Sequence, residues 1–116
     1  MANGDIVSTN PEFRHVILID QATATTDGVW VDLGGYRYNV ALHVSGITSA
    51  TVTVNGSSGT ATGAVPANAN NGTAIGTAIT GDDWFTISQA PRYIKARVTV
   101  YASGTVTVVL MASRST

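Results

Sequence analysis

The chain has 116 residues, of which 11% are charged, a formal net charge of −1 and no cysteine. That length fits one domain, the near-neutral charge gives no general attraction to nucleic acid or anionic lipid, and without cysteine there is neither a disulfide framework nor a thiolate metal site. No apolar run approaches the ~20 residues that span a bilayer, and the start lacks the basic and apolar regions of a secretory leader, so a cytosolic site of synthesis is expected.

Residues 1–14 are polar, contain Gly4 and Pro11 and show no sustained period. They read as an extended N-terminal arm before a single domain at 15–116. The run HVILID at 15–20 fits a strand buried on both faces. A second strand is expected at 29–33, with Val29, Val31 and Leu33 inward and Trp30 outward. Gly34-Gly35 turns the chain into the clearest strand, 36–45, where Tyr36, Tyr38, Val40, Leu42 and Val44 share one face. Ala50, Val52 and Val54 alternate with threonines, and Asn55-Gly56 then reads as a hairpin turn.

Residues 56–76 are Gly, Ala, Ser, Thr and Asn with almost nothing large enough to pack, and read as a long flexible loop with one weak strand. From Tyr38 to Gly81 there is no Asp, Glu, Lys or Arg at all, an unusual gap for a segment facing water. A strand at 84–88 follows Asp82-Asp83. The last stretch, 91–112, reads as two strands folded about Ser103-Gly104, with Ile94, Ala96, Val98, Val100, Val106, Val108 and Leu110 inward. Its outward set after the turn, Thr105, Thr107, Val109 and Met111, is barely charged and needs a cover. Seven to eight short strands with no helical period predict an all-β antiparallel β-sandwich, jelly-roll or Ig-like.

No residue set supports catalysis or a cofactor. His15 and His43 fall inside predicted strands with no nucleophile motif around them, and read as polar-face or interface residues. Asp82-Asp83 lacks the spacing of a calcium loop and reads as a solvated turn, so no metal is expected. Arg92, Lys95 and Arg97 with Tyr93 and Tyr101 have the ingredients of a single-strand nucleic-acid site, but three cations on one strand fit a solvated or interface face better. Trp30 and Trp84 would be the stacking residues if the protein were a carbohydrate-binding module.

VDLGGY at 31–36, DDW at 82–84, PRYIKARV at 91–98 and SGTVTV at 103–108 resemble small β-sandwich virion proteins of tailed bacteriophages, above all the head decoration, or cement, proteins. The resemblance implies a non-enzymatic structural protein made in the host bacterial cytoplasm and carried on the capsid surface, with neck, tail or fiber as the alternative location. Its implied partners are the major capsid protein or other virion proteins and further copies of itself, a trimer among the possible forms, with neither nucleic acid nor membrane. The expected interface residues are Ile6, Val7, Phe13 and Arg14 on the arm, with Trp30, Tyr93, Arg97 and Tyr101 on the domain.

Overall fold

A computed structural model of the protein describes residues 2–9 and 12–114, with the backbone alone at 7–9 and 89. The fold is all-β and antiparallel, as expected. Its strands are β1 (Ile6–Thr9), β2 (Phe13–Ala22), β3 (Thr26–Asp27), β4 (Val31–Asp32), β5 (Tyr38–Ser57), β6 (Thr73–Ala74), β7 (Asp83–Gln89) and β8 (Tyr93–Ser113). All eight belong to one hydrogen-bonded sheet, built on the ladder between β5 and β8.

β5 and β8 hold 20 and 21 residues. At about 3.3 Å per residue each would extend to about 65 Å, yet the longest dimension of the molecule is 36 Å. Both strands therefore fold over, and they do so at one place. Gly46 (φ +80°) and Gly104 (φ +116°) sit almost opposite each other in left-handed conformations. A Cβ on Gly46 would strike the Thr105 carbonyl, and one on Gly104 would lie 2.5 Å from the Gly46 carbonyl, so both positions need glycine. Bulges between Ser45 and Ala50 take up the bend, and the Asp82 carboxylate accepts the Ile47 N–H across it (2.8 Å).

The bend divides the sheet into two layers that share their long strands. The first runs β1, β2, the C-terminal half of β8, the N-terminal half of β5, and β7. The second contains β3 and β4, the other halves of β8 and β5, and β6. Between them lies one core, with Val16, Leu18, Leu42, Val44, Val108 and Leu110 from the first layer against Val52, Val54, Ile94, Ala96 and Val98 from the second. Each such buried aliphatic side chain contributes about 1.5–3 kcal/mol before chain entropy is counted.

Several local expectations are corrected by this bend. Ser103-Gly104 does not reverse the chain: β8 runs through it, because Gly104 kinks a continuous strand in step with Gly46. Asn55-Gly56 is likewise interior to β5, and Gly56 is small because Pro91 and Ile75 approach it within 2.7 Å of a would-be Cβ. Val100 is 59% exposed, where alternation put it inward, because a bulge sets Val98 and Val100 against consecutive β5 residues. Val29 is also exposed.

Candidate interaction surface

The two layers treat their outer faces differently. On the second layer β8 turns Tyr93, Lys95 and Arg97 outward, and this face is roofed by the segment at 58–72. Lys95 is fully buried there. Its ammonium donates to the Asn68 carbonyl (2.6 Å) and Asn71 Oδ1 (3.0 Å), lies 3.0 Å from Asp27 Oδ1, and sits over the Trp30 ring. Three acceptors for three N–H groups make it a fully satisfied cation. Trp30 Nε1 donates to the Asn70 carbonyl (2.9 Å) and the Tyr93 hydroxyl to the Gly63 carbonyl (3.2 Å). The low-complexity loop thus has anchors at four of its residues, supplied by the face it covers.

Asp27 links this roof to its neighbour Arg97, whose Nε is 2.9 Å away. Burial raises the Asp27 carboxyl, but hydrogen bonds from Lys95 and Arg97, together with their charges, outweigh it and hold the group below the ordinary carboxylate range. At the layer's edge Asp32 is lowered by its two bonds from Arg92, at 3.0 Å each, against a smaller opposing effect of burial and with help from the Gly34 N–H. The cations that composed a basic face in the sequence are therefore each matched to a carboxylate within the domain.

Among the described residues, no loop covers the outer face of the first layer. Strand register assembles two rows across four strands: Ile17, Val109, His43 and Trp84, and beside it His15, Met111, Ala41 and Thr86. None of the eight is Asp, Glu, Lys or Arg. Trp84 is 63% exposed and stacks flat on His43, with ring centroids 4.3 Å apart and planes 9° apart. Met111 is 44% exposed. Most of these side chains line a shallow depression: His15, Ala41, His43, Trp84, Val109 and Met111. Weakly charged, aromatic and Met-bearing, the surface has the composition of a contact core rather than of a solvated sheet face.

The expected interface residues are distributed elsewhere. Trp30 and Tyr93 anchor the roof, Arg97 pairs with Asp27, and the Tyr101 hydroxyl donates to the Gly104 carbonyl at the bend (2.7 Å). Arg14 stacks over Tyr36 at 4.5 Å and donates from Nη1 to the Asp32 carbonyl (3.3 Å). Phe13 begins β2 opposite Ser113, and Ile6 is exposed on β1. The Val7 side chain lies outside the described residues, as do Met1, Asn10 and Pro11 of the expected arm. The rest of that arm is fastened to the domain: Gly4 N–H donates to the Ile17 carbonyl (2.6 Å), Ile17 N–H to the Asp5 carbonyl (2.9 Å), and Asp20 N–H to Asn3 Oδ1 (2.8 Å). Sequence pattern missed the Trp84 surface as a unit, because its members come from four strands and meet only through register. The signals for it were the uncharged outward set Val109 and Met111 and the charge-free stretch from Tyr38, which holds Ala41 and His43.

No family model matches the chain, and no curated protein matches it. Among solved structures, the crystal structure of the SPBc2 prophage-derived protein YomS is similar, with a TM-score of 0.59 and 19% sequence identity over 94% of this chain and 99% of that one. At that identity the likeness is one of fold, and it spans nearly the whole of both chains.

Proposed function

We propose that the protein is a non-enzymatic structural component of a tailed-phage particle, and that it decorates the head by seating the outer face of its first layer on the assembled shell. The observation that carries this reading is the uncovered surface around Trp84, His43, Val109 and Met111, on a domain that covers its other outer face with its own chain. Contact cores are depleted in charge and enriched in aromatic residues and Met. The phage setting is supported by the fold likeness to a prophage-derived protein, which is an argument by analogy. A protein that binds only the assembled shell stabilises it by mass action, by about 2.7 kcal/mol per site at a free concentration one hundred times Kd.

The test is quantitative mass spectrometry of purified particles of the phage that encodes the chain. A copy number close to that of the shell subunit is expected for a head decoration protein. A few copies per particle would move it to the neck, tail or fiber, and absence from the particle would refute the virion reading.

Trp84 also favours a second reading, a carbohydrate-binding module, because an exposed indole beside Asp82 and Asp83 has the parts of a sugar-stacking site. Trp30, committed to Asn70 and Lys95, would not serve in it. Saturable glycan binding lost in Trp84→Ala but kept in Trp30→Phe would select this reading over the first.

A further inference from the structure

The layer that carries the uncovered face ends at β7, which pairs with β5 alone. Among the described residues the other marginal strands are blunted: β3, β4 and β6 are two residues long, and β1 is broken by an irregularity between Ile6 and Ser8. Short or bulged edges discourage pairing with another chain. β7 is seven residues long, pairs with β5 without a register shift, and reads DWFTISQ, with no Lys, Arg or Pro. It is a long, regular edge without the devices that prevent strand addition.

The extent of the free edge sets a register. Successive residues of a strand turn their N–H and C=O groups to opposite sides. At one end the Trp84 N–H is taken by the carboxylate of Asp83 (2.8 Å), just past the other end the Ala90 N–H donates to the Arg37 carbonyl (2.8 Å), and the middle of the seven-residue strand is Thr86. We propose that two copies of this chain pair antiparallel along β7 across a two-fold axis, with Thr86 opposite Thr86 and Trp84 opposite Ser88. In this register every outward-directed residue of one strand faces an outward-directed residue of the other, and each facing pair exchanges two backbone hydrogen bonds.

The edge suits a second copy of itself. Its one ionisable group, Asp83, lies at one end, so antiparallel pairing sets no like charges opposite each other. At the other end Arg37 donates from Nε to the Ala90 carbonyl (2.9 Å). In the antiparallel pair each Asp83 then lies at the Arg37 end of the second copy. On the inner side Phe85 and Ile87, each half-buried at the margin of the core, come opposite one another and complete their burial. This inference stands apart from the virion reading, since it concerns the purified protein alone.

The chain has no cysteine, so Thr86→Cys introduces a unique thiol at an exposed position. Mild oxidation of the full-length variant should give a disulfide-linked dimer. Ser88→Cys should not, because its two copies would lie about 13 Å apart along the strands, whereas a mixture of Ser88→Cys and Trp84→Cys chains should cross-link. In sedimentation velocity the wild type should move from monomer toward dimer with concentration. Thr86→Lys, which sets two ammonium groups face to face on the axis, should raise the dissociation constant by about tenfold or more with its thermal melt unchanged. A wild type that stays monomeric up to its solubility limit would overturn the inference. So would a dimer in which Ser88→Cys alone cross-links as readily as Thr86→Cys.

Discussion

Replacing Lys95 by methionine tests whether the domain holds its own roof through one buried ammonium. Methionine keeps most of the stem's packing beneath Trp30 and removes only the charge and its donors. Asp27 would not be stranded, because it keeps Arg97 at 2.9 Å and its side chain is 43% exposed. The Asn68 carbonyl and Asn71 Oδ1 lose their donor. If the segment at 58–72 stays down, two part-buried acceptors lose their donor, at about 1–3 kcal/mol for each that water cannot reach. If it lifts, those acceptors reach water, but the bonds from Trp30 to Asn70 and from Tyr93 to Gly63 are lost, at about 1 kcal/mol each. The cheaper route limits the cost, so the loss should be about 2 kcal/mol, below the 3–5 kcal/mol typical of breaking a fully buried ion pair. For a domain of this size the melting temperature should fall by roughly 4 °C per kcal/mol. Hydrogen exchange separates the routes, since lifting accelerates exchange across 58–72 while the β5–β8 amides keep their protection. A Lys95→Met protein with an unchanged melt and unchanged exchange in that segment would refute the anchoring role.

The bend should be sensitive to glycine replacement in a graded way. Gly46→Ala combines a left-handed φ with a collision against the Thr105 carbonyl and should cost about 3 kcal/mol or more in denaturant unfolding, whereas Gly34→Ala, at φ +58° in open space, should cost only about 1–2 kcal/mol. Trp84→Ala should lower stability by no more than about 1.5 kcal/mol, the worth of its stack on His43, and yet abolish attachment to particles in a co-sedimentation assay. Asp27 and Asp32 both lie below their ordinary value of 3.8 when folded. Their contribution is therefore fully present above that value and is lost as pH falls through the lowered folded values. Thermal melts between pH 6 and pH 2 should show this loss, shallow because both carboxylates are nearly half exposed, and Asp27→Asn should flatten it.

The inward rows of this fold are legible in the sequence because burial on one face leaves a period of two. Val40, Leu42 and Val44, then Ile94, Ala96 and Val98, then Val106, Val108 and Leu110 read correctly for that reason. What the pattern does not encode is whether a glycine reverses a strand or bends it. Ser103-Gly104 and Asn55-Gly56 both carry turn chemistry, yet neither turns the chain. At Gly104 the conformation serves a kink shared with Gly46, and at Gly56 the missing side chain serves close packing against Pro91 and Ile75. Alternation also says that Lys95 points outward without saying what lies outside it. Its burial depends on a loop whose composition has no packing signal and whose anchors are carbonyls and one amide. The Trp84 surface has the same origin in tertiary register, with His15 and Met111 paired across strands nearly one hundred positions apart.

These two outer faces explain why so weakly charged a chain needs little further cover. One face is sealed by the chain's own residues 58–72. The other presents Trp84, His43, Val109 and Met111 at the end of a layer whose last strand is an unprotected edge. The proposed pairing along β7, about an axis normal to the sheet, would keep the two exposed faces on the same side, joined into one layer through Thr86. Two modest contact patches would then act as one bivalent platform. The second contact would form at an effective concentration fixed by the rigid sheet rather than by diffusion, so attachment would gain far more than a doubling of either patch's affinity. A shell with repeating subunits would offer such a platform many equivalent pairs of sites, and in that way the two proposals connect the free edge to the free face.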